Sequence, residues 1–532
     1  MKSNLIKYIF IIIVVALVGC AGYLIYGQKE KEPNKPIIEE IVEETKMITN
    51  VRVPIISFDT INPILSKNQN IQDISRLIYE PLLNITTDNK IIMCLAKEWS
   101  KQSNTSYVVK LKENVKWHDG NEVVARDVQF TIDRLKEIGA NSIYAYNVEK
   151  VISVEVIDKN TIKINLSEEV PFFEYNLTFP IMSHYYYENE DFVNTEKNNN
   201  PVGTGRFKVS ENSENIILKK NNDWWNYKEE ETKLEEIRLV KYQSMGEVYN
   251  AFKIGNIDLL TTKTTQLEEY IGTIGYYKKE YYGRNLDYIA FNCEENILSN
   301  VEVRRAISYL INKENIVAGI YKGAYYKANF PLEFGSYLYE DKKVSYEVNE
   351  EKARSILGQT GWTYNKKIWQ RVKDYRTQKL RFDLIVNSTN DARVQVAENI
   401  KQTLSEFGID INIRKVSDSQ YQNYLKNKNY DMILTGVYSG LSPDLSQYFD
   451  ENNIANFNNE EMKSLINDVK NIQDEKVLKE KYSRIIEIYE QEMPYVFLYY
   501  SKNTLVYSPN LVGELNPNRY NVYEGIGTWY RQ

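Results

Sequence analysis

The chain has 532 residues, 42% of them hydrophobic and 26% charged; that balance folds, and the length implies two to four domains or lobes, since single cores stop growing at about 250–300 residues. A formal net charge of −7 without a basic stripe argues against nucleic-acid binding, because neutralising phosphates needs clustered Lys and Arg. With only Cys20, Cys94 and Cys293, a disulfide-dense scaffold and a Cys-based zinc site are excluded.

Lys2 and Lys7 precede an uncharged stretch from Tyr8 to Tyr26. As a helix it would span about 28 Å, close to a bilayer's hydrocarbon core, and basic residues at its start make it export-directing. Leu17-Val18-Gly19-Cys20 resembles the lipobox of bacterial lipoproteins, which implies lipidation of Cys20 and cleavage before it. The apolar run continues to Tyr26, so an uncleaved transmembrane anchor also fits residues 1–27. Both readings put the body on the outer face of the cytoplasmic membrane. Residues 28–47, charged and carrying Pro33 and Pro36, read as an extended tether.

No solenoid-type repeat is visible; the pattern is mixed α and β. Val109 and Leu111 mark a strand around Ser106 to Val115. Val154 and Val156, a turn at Asp158-Lys159-Asn160, then Ile162, Ile164 and Leu166 predict a hairpin. Asn198-Asn199-Asn200-Pro201 with Gly203 and Gly205 marks a long turn. Asn300 is a cap for a helix whose face carries Val303, Ala306, Ile307, Leu310 and Ile311. Leu380, Phe382, Leu384 and Val386 alternate as a strand. A helical stripe from Val394 to Phe407 ends at Gly408, and Ile409, Ile411 and Ile413 alternate again. That is a β-α-β unit with Gly408 as its C-terminal cap. A helix over about 419–426 and a strand over 431–438 follow.

Several blocks resemble the family 5 extracellular solute-binding proteins, the oligopeptide-, dipeptide- and nickel-binding group. They run in order from Ile78-Tyr79-Glu80-Pro81-Leu82-Leu83 and Leu95-Ala96-Lys97-Glu98-Trp99 to Trp117-His118-Asp119-Gly120 with Ala125-Arg126-Asp127-Val128. Asn200-Pro201-Val202-Gly203-Thr204-Gly205 follows, with Arg206 where the family usually has Pro, then Ile289-Ala290-Phe291-Asn292 with Val303-Arg304-Arg305-Ala306-Ile307, Gly408-Ile409 and Tyr430-Asp431. The resemblance implies an α/β, type II periplasmic-binding-protein-like two-lobe clamp with an inserted smaller domain. Lobe I would take residues 48–78, 201–290 and 495–532, the inserted domain 79–200, and lobe II 291–494. The implied function is capture of a small ligand, a short peptide first, for an ABC importer's permease and ATPase. A peptide-signal receptor, or a binder of a sugar or metal chelate, remains open on the same fold.

The resemblance also implies ligand contacts: Lys67, Asn68 and Gln69 as a first contact strand, Tyr144 and Tyr146 from the inserted domain, and Gly436, Val437, Tyr438, Ser439 and Gly440 from lobe II. Gly440 stands where peptide binders usually place the Asp that holds the ligand's α-ammonium, and Asp444 is the nearest acid. Packing explains Tyr144 and Tyr438 as readily as contact does. The two histidines, His118 and His184, read as structural, and Trp224-Trp225 as lobe packing. No nucleophile elbow, P-loop or H-E-x-x-H pattern occurs, so no enzyme, cofactor or metal site is expected.

Overall fold

Alternation along Val51, Val53 and Ile55, all buried, lays the first strand β1 (Asn50–Ile56) into a core. The computed structural model describes residues 47–339 and 347–532, and Met47–Gln532 forms one compact unit. The expectations for Cys20, for the segment 1–27 and for nearly all of the tether lie outside the described residues. After β1 a short loop leads to the helix Gln69–Ile78, which buries Ile71, Ile74, Leu77 and Ile78 on one face.

A hairpin, β2 (Leu83–Ile85) with β3 (Ile91–Met93), leads into the inserted segment. There β4 (Ala96–Ser103), β5 (Ser106–Leu111), β6 (Val151–Asp158) and β7 (Thr161–Leu166) form an antiparallel sheet in the order β4-β5-β7-β6. The helix Ala125–Ile138 turns Val128, Ile132 and Leu135 inward. Then β8 (Phe207–Asn212), β9 (Ile216–Lys220) and β10 (Glu236–Tyr242) complete a sheet with β1, in the order β1-β10-β9-β8. The Gly203–Gly205 turn touches the end of the first helix: Gly205 N donates to Ile78 O at 2.8 Å, and a Cβ at either glycine would overlap backbone at Leu77 or Ile78.

A second sheet is built from β11 (Leu259–Thr262), the long β12 (Tyr277–Phe291), β13 (Tyr325–Lys327), β17 (Arg381–Asn387), β18 (Asp410–Val416), β19 (Met432–Tyr438) and β20 (Tyr495–Tyr507). Its order is β11-β20-β12-β19-β17-β18, with β13 on β20. Between them β14 (Thr363–Asn365), β15 (Ile368–Lys373) and β16 (Arg376–Lys379) make a small separate sheet. The predicted β-α-β unit is present: β17 and β18 are parallel, joined by the helix Asp391–Phe407, which ends at Gly408 with φ 99°.

The expected lobe limits at 290/291 and 494/495 need correction. Tyr281 and Leu505 belong to the first core, with Val51 and Phe207, whereas Leu286 and Tyr500 belong to the second, with Phe291 and Leu384. The antiparallel pair β12–β20 therefore passes from one core to the other in mid-strand. The changeover falls where its register shifts, between Tyr282 and Leu286. Gly283 permits the close approach there, since a Cβ would overlap the Ser501 hydroxyl. A hydrophobic run read along the chain carries no mark of which core receives each half.

Candidate functional site

The crossing of β12 and β20 is also where the first helix, the end of β19 and the C-terminal segment meet. A cavity of about 240 Å³ opens there, with Gln69 and Asp73 from the helix, Arg284 from β12, Tyr438 from β19 and Arg519 from the C-terminal segment among its walls. Next to it a cavity of about 30 Å³ is lined by Glu333, Ser439, Gly440, Asp444 and Arg519. The parallel strands β17, β18 and β19 all point their carboxyl ends the same way, and open α/β sheets bind ligands beyond those ends.

Arg284 organises the mouth. Its Nε donates to Ser439 O at 2.9 Å, and Ser439 N donates to Arg284 O at 2.7 Å, extending the β12–β19 pairing past Tyr438. The guanidinium lies 4.2 Å from the centre of the Tyr438 ring, a cation–π geometry, and its charge acts on the Tyr146 phenol from the inserted segment. Tyr438 is 64% exposed and Tyr146 52%, so both rings offer surface to a ligand. Burial pushes the Asp73 carboxyl up to about 6, against the hydrogen bond from Gln69 Nε2 at 2.8 Å and the nearby Arg76 charge.

The sequence-predicted residues divide. Gln69, Tyr438, Ser439, Gly440 and Asp444 line the two cavities, and Tyr146 reaches the same place through Arg284. Lys67-Asn68-Gln69 is not a strand, which corrects the expected contact strand. Asn68 caps the first helix, its Oδ1 accepting from Asn70 N at 2.9 Å while Nδ2 donates to Ile56 O and Ser57 O, and Gln69 is already helical. Lys67 reaches Ala140 O at 3.2 Å. Tyr144 donates its hydroxyl to Gln72 Oε1 at 2.7 Å and packs against the first core. Gly436 is needed for packing: a Cβ would overlap the Asp287 carboxylate and the Arg393 guanidinium, a bidentate pair at 2.9 and 2.6 Å. Val437 packs against the second core. Asp444 Oδ1 accepts from Ser446 N at 2.9 Å and Ser446 Oγ at 2.6 Å.

The remaining polar residues of the family-like blocks are turned to structure. His118 Nε2 sits 3.0 Å from Gly205 O, and its Nδ1 accepts from Gly203 N at 3.2 Å; burial holds its pKa down to about 4. His184 Nδ1 lies 2.6 Å from Asp127 Oδ1. Trp224 and Trp225 donate their indole N–H groups to Glu80, at 3.0 Å to Oε1 and 2.8 Å to Oε2. Arg206 lays its guanidinium 4.4 Å from the Trp224 ring. Asp73, Arg284, Glu333 and Arg519 were missed by sequence reasoning, and only the Asn68 cap before Ile71, Ile74, Leu77 and Ile78 gave a readable signal, for the helix that carries Asp73.

The chain as a whole resembles known proteins along most of its length. The family described as bacterial extracellular solute-binding proteins, family 5 middle part, matches residues 90–459. The chain is 26% identical over 498 residues to the oligopeptide-binding protein AppA of Bacillus subtilis, covering 87% of this chain and 88% of that protein. It is 25% identical over 474 residues to the heme-binding protein A of Haemophilus influenzae, covering 81% and 83%. A solved nickel ABC transporter protein from Bacillus halodurans shares the fold with a TM-score of 0.76 at 19% identity, covering 91% of this chain and all of that one.

Proposed function

The chain belongs to family 5 of the bacterial extracellular solute-binding proteins, and on that premise we propose that it captures a short peptide between its lobes and hands it to the permease of an ABC importer. The observation that carries this reading is the position of the larger cavity. It lies where β12 and β20 cross between the cores, so a solute there touches the first helix, β19 and the C-terminal segment together. A ligand that contacts both lobes favours their closed arrangement by its differential affinity. The walls are rich in amide and hydroxyl groups, including Gln69, Asn285, Ser501 and Asn503, which suit a backbone-like ligand. One relative, AppA of Bacillus subtilis, is by name an oligopeptide-binding protein. Asp444, beside Gly440, is the acid we assign to the peptide's α-ammonium, and residues 1–27, through a lipid on Cys20 or as an uncleaved helix, are the membrane anchor. Delivery to a permease and ATPase pair is the family's role carried to this chain.

Native mass spectrometry of the chain, purified gently from a host of its own type, tests the ligand class. Co-purified masses matching short peptides are expected. A protein that emerges empty, and gains thermal stability only with sugars, metal ions or end-blocked peptides, would overturn the peptide.

A further inference from the structure

We propose that Arg519 is the anion receptor of the cleft: the solute carries a carboxylate, which docks on the Nε–Nη2 edge of the guanidinium. This deepens the capture reading and rests on it for the place of the site. Arg519 follows Asn516-Pro517-Asn518 in the C-terminal segment, and its side chain is only 5% exposed. Nη1 donates to Glu333 Oε2 at 3.2 Å, and Tyr520 donates its hydroxyl to the other Glu333 oxygen at 3.0 Å. Nε and Nη2 are buried without a hydrogen-bond partner. A guanidinium holds its donors in a rigid fork with no freedom to turn them elsewhere, and buried donors are almost always paired.

Three other arginines of the chain show what that edge accepts. Arg52 places Nε and Nη2 on Asp258 at 3.1 and 2.6 Å, Arg393 on Asp287 at 2.9 and 2.6 Å, and Arg484 on Glu461 at 2.7 and 2.9 Å. In each a planar carboxylate closes the fork with two parallel bonds. Arg519 leaves the same edge without a hydrogen-bond partner, and the residue lines both cavities of the cleft.

Charge points the same way. Four charged side chains line the larger cavity, Asp73, Lys263, Arg284 and Arg519, and three of them are cationic although the chain as a whole carries −7. A cleft of that sign concentrates anions. Glu333 and Asp444 line only the smaller cavity, so the cationic balance belongs to the larger one, from which the carboxylate approaches.

The test uses the full chain with three probes: an equimolar library of tri- to pentapeptides with free carboxyl ends, the same library as C-terminal amides, and a panel of citrate, succinate and glutarate. Thermal shift and native mass spectrometry read binding. The free-acid library is expected to bind at least tenfold more tightly than the amides. R519Q combined with E333Q, which removes both ends of the ion pair, is expected to abolish that difference. R519K, which keeps the charge and loses the fork, is expected to weaken it at least tenfold, and this variant decides the matter if the double variant fails to fold. Acids and amides binding alike to the unaltered chain, or a preference that survives these variants, would overturn the proposal. If no peptide binds but a small carboxylate does, with a tenfold loss in R519K, the receptor stands and the peptide reading falls. Stabilisation by neutral or cationic solutes alone defeats the receptor.

Discussion

Glu80 and Glu333 are both buried carboxylates, one beside the first core and one at the cleft. Glu80 is closed on itself: each oxygen takes one indole N–H, from Trp224 and Trp225, and the Lys112 ammonium lies 3.9 Å from the Trp225 ring. Burial still raises its pKa, against those hydrogen bonds. Glu333 is equally satisfied, by Tyr520 and Arg519, but one of its partners is a cation with two buried donors left over. A buried polar cluster that exists for stability completes its own hydrogen bonds. Unpartnered buried donors also occur away from the cleft, at Trp362 Nε1 and Arg134 Nε, so what marks Arg519 is that it has two of them at a cavity wall. Glu80, His118 and His184 fall on the first side of that divide, and Arg519 on the second.

The comparison breaks first at Glu80. E80A orphans two indole donors and leaves a cavity, so the unfolding free energy is expected to fall by about 4 kcal/mol, each unmade buried bond costing about 1–3 kcal/mol. Urea unfolding followed by tryptophan fluorescence checks it. A loss below about 1 kcal/mol would mean that the Trp224–Trp225 clamp is not self-contained.

His118 gives a pH signature for the same side. Its folded pKa, about 4, lies below the 6.5 of the free side chain because burial disfavours the charged ring. The fold therefore keeps this contribution in full above pH 6.5 and loses it as pH falls from 6.5 to about 4, up to about 3 kcal/mol. Asp73 and Glu174, raised by burial to about 6 and about 7, act in the opposite sense over overlapping windows, so total stability hides the effect. The difference between the unaltered chain and H118Q removes them. It is expected to move against the unaltered chain by about 1.4 kcal/mol per pH unit below 6.5, in urea unfolding at pH 7, 5.5 and 4. A difference that stays flat across that range defeats the assignment.

Legibility in the sequence followed the same divide. The β17–helix–β18 unit could be read because periodicity changes from 2 to 3.6 and back within one stretch, with Gly408 as punctuation. The Trp117-His118-Asp119-Gly120 and Asn200–Gly205 blocks could be read through their resemblance to the family, and they pack on each other, His118 against Gly203 and Gly205. The cleft could not be read in this way. Asp73, Arg284, Glu333 and Arg519 come from four distant points, and no spacing along the chain records their meeting. The first contact segment failed for a local reason: an ungapped resemblance made Lys67-Asn68-Gln69 a strand, while the Asn68 side chain caps a helix. The mid-strand change of core in β12 and β20 left no compositional trace either.

The smallest expected effect on stability is the one that sharpens the comparison most. Tyr438 is 64% exposed, and around Gly440 the nearest atom to an added Cβ is Ser442 N at 3.9 Å. Neither residue completes a core, so Y438D with G440W is expected to change the unfolding free energy by less than about 0.5 kcal/mol, as surface substitutions do. The indole nevertheless enters the wall shared with Ser439, Asp444 and Arg519, and the carboxylate at 438 replaces the ring under Arg284, drawing that guanidinium into an internal pair. Ligand-dependent thermal stabilisation, measured with the free-acid peptide library, should therefore vanish while the ligand-free melting temperature holds. Loss of both would show that Tyr438 and Gly440 belong with Glu80 and His118 as structural residues. Retention of both would place the ligand away from the crossing of β12 and β20, and with it would go the reason for leaving the Arg519 fork open.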